Sequence, residues 1–334
     1  MNPEKSFCLH IGADGTLDSQ ELTKYLESLA VERLGDFHSF LDRASEGLET
    51  DIDWWVSSFS SRNCFTSPLF LNLLAVSLVV RLIDSGKLFS ISTDSFFLFL
   101  MYKNVFKNRG VSGARVKWTW SFDKAVKKFI RLFLVIGLSF PLFIFNTVTG
   151  RCYRGRLVIP KEIELFSCFA TPEWWENDTE RYFPGLTSYY SEDRLESVYF
   201  LPRVVGNKNW RGLRKANQQY RDGDKNVLIL EDYISVKDCF YSWSHWFRIL
   251  FKRPKTLSWS GIDVRWLYFK ECLSPSAILG SMKAVLYYRF VRSLRNRGVS
   301  IRSFTNFFEN QIIDKALHKG MREFFPAARN VGYS

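Results

Sequence analysis

The sequence predicts an α/β protein built around a parallel, doubly wound sheet. Short apolar runs alternate along the chain with longer segments in which apolar residues recur every three or four positions. Glycine, proline and small polar residues separate these segments and mark the turns. Such alternation of strands and helices is typical of βαβ units, whose strands are parallel. A chain of 334 residues that is 46% hydrophobic can bury a sizeable core.

The elements are predicted in order along the chain. Residues 1–50 are expected to form a helical N-terminal extension. Residues 51–334 are expected to form one α/β domain with an apolar helical insertion at about 121–156. The predicted strands are Ile52–Phe59, Leu88–Ser92, Leu157–Phe169, Val227–Leu230 and Val299–Phe308, and Ser197–Leu201 is an apolar run bounded by Pro202. The predicted helices are Pro68–Ile83, Ser95–Lys107, a helix from Ser235 past Trp243, and Ser276–Arg297.

The final stretch, Phe307 to Tyr333, combines a strand end, a polar triplet and a well-marked helix. Ile313, Ala316, Leu317, Met321 and Phe324 recur at helical spacing and form one apolar stripe. Pro326 is expected to end this helix, and a further strand is expected to begin after it.

The insertion contains an unusually apolar stretch, in which every residue from Leu132 to Gly150 is uncharged. A membrane-spanning helix needs ~20 apolar residues. Basic residues flank both ends of the stretch, whereas a spanning helix usually shows a charge bias between its two sides. Three interpretations stay open: a helix at the membrane surface or re-entering it, a buried core helix, and a spanning helix.

The net charge of +12 is spread unevenly. Residues 61–160 and 201–334 are basic, whereas residues 1–60 and 161–200 are acidic. Basic blocks suggest anionic partners such as nucleotides or phospholipid head groups, although a solvated basic surface explains them equally well. Because no helix-turn-helix, RNP aromatic motif or KH loop accompanies the basic blocks, nucleic acid is not expected as a partner.

The six cysteines show neither CxxC spacing nor an accompanying histidine cluster, so no metal site is expected. Cys168 and Cys239 lie in apolar stretches and are expected to be buried, reduced thiols, which fits a reducing cytoplasm. The N-terminus lacks a basic segment followed by an apolar core, so no secretory signal is expected.

Polar clusters follow four predicted elements and form the candidate site. The clusters are Ser61-Arg62-Asn63, Asp94, Glu231-Asp232 and Glu309-Asn310-Gln311. In a parallel sheet the carboxyl ends of the strands share one edge, where ligands bind. The sequence therefore predicts that these clusters line one cleft.

Several of these segments together resemble one known family. They are IDWWVSSFSSRN with SPLF, the loop RYFPGL, the segment LILEDY and, as the most specific, FFENQIIDKALHKGMREFFPAARNVGY. They are similar to transferases of bacterial surface-carbohydrate loci, for O-antigen and capsule, often called surface carbohydrate biosynthesis proteins. The resemblance runs from about residue 50 to the end of the sequence.

The resemblance implies a GT-B glycosyltransferase with two Rossmann-like halves around a cleft. Its activity would move a sugar from a nucleotide-sugar donor to a membrane-linked glycan, with no other cofactor, at the inner face of the cell membrane. Family members continue past the Glu309-Asn310-Gln311 block, so this chain is expected to be the N-terminal, acceptor-side half and incomplete as a catalyst alone. The alternative is a non-catalytic remnant that binds a membrane surface or a partner.

Sugar transfer requires a base for the acceptor hydroxyl and a group that stabilises the departing phosphate. Glu309 is the first candidate for the base, and Glu231 or Asp232 is the second. Arg62 could hold a phosphate through its planar fork. The substrate-binding candidates are Ser61, Arg62, Asn63, Asp94, Asn310 and Gln311. The competing interpretation is that these groups cap helices and satisfy loop backbone.

Overall fold

The structure is a computed structural model of the chain. It describes residues 8–61, 68–86, 90–111, 115–119, 122–151, 162–170, 186–204, 210–223, 225–307 and 311–333. The strands are β1 Cys8–Ile11, β2 Ser90–Thr93, β3 Arg115–Trp118, β4 Glu162–Ala170, β5 Val198–Val204, β6 Ser258–Trp259, β7 Ile262–Asp263, β8 Ser300–Phe307 and β9 Arg329–Tyr333.

The helices outnumber the strands within these residues. They are α1 Gln20–Ser45, α2 Ile52–Trp55, α3 Leu69–Asp84, α4 Phe96–Asn108, α5 Phe122–Gly150, α6 Glu192–Leu195, α7 Trp210–Asp222, α8 Leu230–Tyr233, α9 Val236–Trp243, α10 His245–Phe251, α11 Arg265–Cys272, α12 Pro275–Asn296 and α13 Ile312–Phe324. A short 3₁₀ helix spans Leu186–Tyr189. The fold is thus α/β with parallel sheets.

The chain divides into two compact units. The first comprises Met1–Val135 and Trp246–Ile278, and the second comprises Ile136–His245 and Leu279–Ser334. The chain therefore passes from one unit to the other three times, within α5, near the start of α10 and within α12. The segment predicted as an extension, residues 1–50, belongs to the first unit and supplies its first strand and longest described helix apart from α5.

The first unit is built on a parallel sheet of order β1-β2-β3. The apolar side chains of Leu9, Ile11 and Ile91 extend from this sheet into the buried core. The second segment of this unit completes that core, because Trp259 packs edge-on against Phe40 at 5.6 Å between ring centroids. Its indole N–H donates to Ser77 Oγ over 2.8 Å, so the buried nitrogen keeps a partner.

The second unit is built on a parallel sheet of order β5-β4-β8-β9. Beyond β5, Val227 forms a single parallel bridge to Phe200, and Leu228 N donates to Phe200 O over 2.8 Å. The helix α7 covers one sheet face, where Ala216 and Tyr220 join a buried apolar cluster. Leu317 and Met321 of α13, which form part of the predicted apolar stripe, are also buried.

Two predicted strands are wrong. Within Ile52–Phe59 the structure has the helix α2, because the Asp51 carboxylate accepts from Asp53 N over 2.8 Å and caps it. Within Val227–Leu230 the pairing is limited to the bridge at Val227, and α8 begins at Leu230. Aromatic and branched side chains favour strands only weakly, so capping and tertiary pairing decide at such short runs.

Candidate functional site

The candidate site lies at the carboxyl edge of the second unit's sheet. Along the chain, β5 is added on one side of β4, whereas β8 and then β9 are added on the other. The direction of addition therefore reverses between β4 and β8. Connections that leave neighbouring strands in opposite directions open a crevice at such a point, where ligands of α/β sheets bind.

Arg203, the next-to-last residue of β5, lies across this edge and is buried. Its Nη1 donates to Asp314 Oδ1 over 2.6 Å, and its Nη2 donates to Asn306 Oδ1 over 3.3 Å. The guanidinium also lies over the Phe169 ring, 4.0 Å from the ring centroid. The side chain thus joins β5, β4, β8 and α13 through one buried cation.

The partners of Arg203 are held by the connection from β8 to α13. Asp314, in the first turn of α13, accepts a hydrogen bond from Gln311 N over 3.1 Å and another from Asn306 Nδ2 over 3.1 Å. A carboxylate in the first turn also suits the helix dipole. These hydrogen bonds hold the Asp314 carboxylate near the end of β8.

Two buried polar atoms at this edge have no hydrogen-bond partner among the described residues: Arg203 Nε and Ser167 Oγ. Ser167 of β4 pairs with Asn306 of β8, and Arg203 pairs with Phe169 two residues further along β4. Because side chains alternate between the faces of a strand, Ser167, Phe169 and Arg203 lie on the same face. Buried polar groups without partners are uncommon and often mark functional positions.

Glu231, at the start of α8, supplies a carboxyl with a perturbed pKa in the same unit. Burial raises the pKa of Glu231 to about 7, although hydrogen bonds from its own backbone and from Asn217 oppose the shift. Asn217 Nδ2 donates to Glu231 Oε2 over 3.1 Å and also contacts the Gly150 carbonyl. A Cβ at Gly150 would lie 2.8 Å from Glu231 Cγ, so glycine at the end of α5 makes room for this side chain.

Tyr287 of α12 lies within electrostatic reach of both Glu231 and Arg203. Burial raises the pKa of Tyr287 to about 12, the positive charge of Arg203 opposes the shift, and Glu231 adds to it. The Glu231 carboxyl and the Arg203 guanidinium therefore both act electrostatically on the Tyr287 phenol.

A cationic depression lies on α7, the helix that follows β5. It has a volume of about 330 Å³ and is lined by Arg211, Arg214, Lys215, Gln218 and Gln219. Its residues offer guanidinium, ammonium and amide donors, which suit an anionic ligand.

The predicted site residues are divided between the two units. Glu231, Asp232 and Gln311 belong to the second unit, whereas Ser61 and Asp94 belong to the first. No single sheet edge therefore collects these five described positions. The remaining four candidates, Glu309, Asn310, Arg62 and Asn63, lie outside the described residues.

Asp232 and Gln311 have clear structural contacts. Asp232 is buried, and Arg221 Nη2 lies 2.6 Å from its Oδ2. Gln311 precedes α13 and binds Asp314 through its backbone N–H.

The two candidates in the first unit lie apart from any strand-end cluster of this kind. Ser61 follows the turn after α2 and donates its backbone N–H to Ser58 O over 3.1 Å. Asp94 directly follows β2 and is exposed. The pKa of Lys128 is lowered by burial and by Lys270, while Asp94 opposes the shift, so these charges lie near one another.

Four residues of the site were missed in the sequence: Arg203, Asn306, Ser167 and Tyr287. Three of them lie near the ends of strands. Arg203 is the one charged residue of β5, and both Arg203 and Asn306 lie one position before the end of their strand. A polar residue at that position could have indicated the edge, whereas Tyr287 lies inside a helix with many aromatic residues and carries no such signal.

A scan against protein-family models finds no match, and neither the curated proteins nor the solved structures contain a significant match to this chain. Among the described residues, no group of three or more histidine, cysteine, aspartate or glutamate side chains is placed to hold a metal ion.

Proposed function

We propose that the second unit binds a phosphate-bearing activated sugar at the edge of its sheet, and not only the acceptor expected from the resemblance, and that the chain takes part in sugar transfer to a membrane-linked glycan. The observation that carries this proposal is the buried Arg203 network, which lies where the strand order reverses. The identity of the transferred group and of the acceptor comes from the resemblance to surface-carbohydrate transferases.

The strand order supports a Rossmann-like unit. When the Val227 bridge is counted as the third strand along the chain, the spatial order reads third, second, first, fourth, fifth. That order is the one found in doubly wound sheets that bind nucleotides at the reversal. The proposed unit differs from them because no Gly-rich phosphate fingerprint follows its first strand.

Arg203 is the proposed phosphate ligand. Its Nε is a buried donor without a partner among the described residues, and a phosphate oxygen would supply one.

Glu231 is the proposed proton acceptor among the described residues. A general base works best when its pKa lies near the working pH, and the pKa of Glu231 is raised to about 7. Glu309 is the first candidate for the base from the sequence, and that assignment stays a prediction.

The proposal is tested by isothermal titration of the full chain with UDP-glucose and with GDP-mannose. Arg203→Lys keeps the positive charge and removes the planar fork, so affinity should fall by about 10- to 100-fold. The matched control is Arg302→Lys, since Arg302 lies on β8 of the same sheet and its side chain is exposed.

Binding that weakens with Arg203→Lys and not with Arg302→Lys supports the site. Equal affinity of the two variants would remove Arg203 from it. If neither nucleotide sugar binds the unaltered chain, the proposed function is wrong.

A further inference from the structure

We propose that α5 is a membrane-surface helix, which lies in the plane of an anionic bilayer with one face in the lipid and the other on the protein. This proposal deepens the proposed function by naming the surface through which the chain meets its membrane-linked acceptor. It rests on the geometry of α5 alone, so vesicle binding and sugar-nucleotide binding can fail independently.

Large apolar side chains of α5 are exposed in both halves of the helix. They are between 37% and 61% exposed and comprise Val126, Phe129, Ile130, Phe133, Leu134, Leu138, Leu142, Phe145 and Val148. From Val126 to Arg131 every residue is exposed, whereas in the second half the exposed apolar side chains lie opposite a buried side of the helix. Contiguous exposed apolar surface beyond a few hundred Å² is rare on soluble monomers and marks a membrane or partner contact.

In the second half of α5, the side opposite these exposed residues packs on the second unit. Ser139, Phe143 and Thr147 are buried, and they recur every four residues. Thr147 Oγ1 lies 3.4 Å from Cys239 Sγ, and Ser139 Oγ lies 3.8 Å from Met282 Sδ. The helix is therefore fixed to α9 and α12 along one side.

A further contact fixes the turn around Pro141. Proline has no N–H for the Gly137 carbonyl, and its ring loosens the hydrogen bonds of the preceding turn. The Ile136 carbonyl accepts a hydrogen bond from Trp243 Nε1 over 2.7 Å. Phe140 packs against Trp243 and Phe240, and Phe240 is itself 54% exposed. The exposed apolar surface thus continues from α5 onto α9.

These contacts favour a helix that lies on the membrane over one that spans it. By length and composition, Val126–Gly150 could cross a bilayer, with a mean hydropathy of 2.0. A spanning helix would meet lipid or other spanning helices along its length, whereas the second half of α5 has hydroxyl, carbonyl and indole contacts to α9 on one side. A one-sided apolar face with polar contacts behind it is the pattern of an interfacial helix.

Charge complementarity identifies the occupant as an anionic bilayer rather than a second apolar protein surface. No acidic residue occurs between Asp123 and Glu162, whereas Lys127 and Arg131 are exposed on the first half of α5. Cations beside an apolar surface are attracted to anionic lipid. A self-associating face would gain nothing from these like charges.

The test is co-sedimentation of the full chain with vesicles of phosphatidylcholine that contain phosphatidylglycerol. We expect Leu138→Gln with Leu142→Gln to reduce partitioning by about tenfold or more, because two exposed apolar side chains are lost from the face. The matched control is Val31→Gln with Leu34→Gln, which removes two exposed apolar side chains from α1. Neutral substitutions keep the net charge equal in both variants.

Three further readouts separate the alternatives. Pure phosphatidylcholine vesicles should bind less protein, and Lys127→Gln with Arg131→Gln should abolish the difference. Alkaline carbonate should release the bound chain. Retention after carbonate would mean a spanning helix, and a dimer in solution that the Leu138 and Leu142 changes disperse would mean a second copy on this face; either result overturns the proposal, as does equal loss of binding in the α1 control.

Discussion

Two arginine–aspartate pairs with fully buried carboxylates, one in each unit, are completed differently. In the first unit, Arg248 of α10 donates from Nε and Nη2 to the two oxygens of Asp53, over 2.8 and 2.7 Å. In the second unit, Arg203 donates one bond to Asp314 and one to Asn306, and its Nε has no partner among the described residues. The first arrangement is that of a structural ion pair, whereas the second leaves a donor available at a sheet edge.

The difference teaches that burial of a charged pair does not by itself mark a site. A two-bond fork uses the geometry of guanidinium and carboxylate fully and fixes α10 to α2. A guanidinium shared between an acid and an amide has donor capacity left, and an anion can use it. Four experiments test this contrast, in order of expected effect.

The largest effect is expected from Asp53→Asn. The change leaves the Arg248 cation, whose side chain is 18% exposed, without the fully buried carboxylate that binds it, so the free energy of unfolding should fall by about 3–5 kcal/mol. Urea unfolding measures it. The matched control is Asp263→Asn, because Arg265 Nε lies 2.6 Å from Asp263 but the pair is exposed and should matter by less than about 1 kcal/mol. Equal losses of unfolding free energy at the two positions would show that the Asp53 pair stabilises the protein no more than an exposed pair does.

Next comes the pH dependence of stability that Glu231 contributes. Its pKa is raised from 4.5 to about 7 in the folded protein, so the folded state binds more protons than the unfolded state between these values. The free energy of unfolding should therefore fall as the pH rises through this window, by up to about 3 kcal/mol. Denaturant unfolding across the window measures the slope.

Glu231→Gln is the comparison for that slope. It removes the titrating group, so the difference between the variant and the unaltered chain isolates Glu231 from other carboxyls. A slope that is the same in both proteins would mean that the pKa of Glu231 is not raised.

The exchange Asn306→Asp tests the shared guanidinium in the opposite direction. A second carboxylate beside Arg203 adds negative charge where the phosphate would bind and removes the hydrogen bond from Asn306 Nδ2 to Asp314, so the affinity for UDP-glucose should fall by about tenfold. Titration calorimetry measures it, with Arg302→Lys as the reference for changes on the same sheet. An unchanged affinity would mean that the ligand does not use this guanidinium.

The smallest effect is expected from Lys252→Met in the first unit. Lys252 Nζ lies 3.2 Å from Asp53 and 2.7 Å from Asp51, but its side chain is 40% exposed. Screening by solvent should keep the loss of unfolding free energy below about 1 kcal/mol. A loss as large as that of Asp53→Asn would mean that Lys252, rather than Arg248, is the cation that stabilises the buried Asp53 carboxylate.

The elements that could be predicted from the sequence are those with a strong internal pattern. The helices α3, α4, α12 and α13 have long apolar stripes, and the structure confirms them within a few residues. β8 is confirmed as well. Short runs such as Ile52–Phe59 failed because a single capping aspartate outweighed the β-propensity of their aromatic residues.

The arrangement of these elements was less accessible to sequence reasoning. The polar triplet after β8 drew attention to the end of that strand, yet the cation that lies there comes from β5, more than a hundred residues earlier. A pattern along the chain cannot show such a contact. The His318 ring of α13 likewise packs against Phe304 of β8, at 5.4 Å between ring centroids, although His318 lies outside the predicted apolar stripe.

The three passages of the chain between the units set the order in which the molecule can be completed during synthesis. Residues 246–278 supply Trp259 and Tyr268 to the core of the first unit, and Tyr268 packs on Phe59 at 5.2 Å. The ribosome must therefore make nearly all of the second unit's first segment before the first core can close. Until residues 246–278 are made, apolar side chains of α1 and α3 lack the residues that bury them. Exposed apolar surface of this kind makes the nascent chain prone to aggregate.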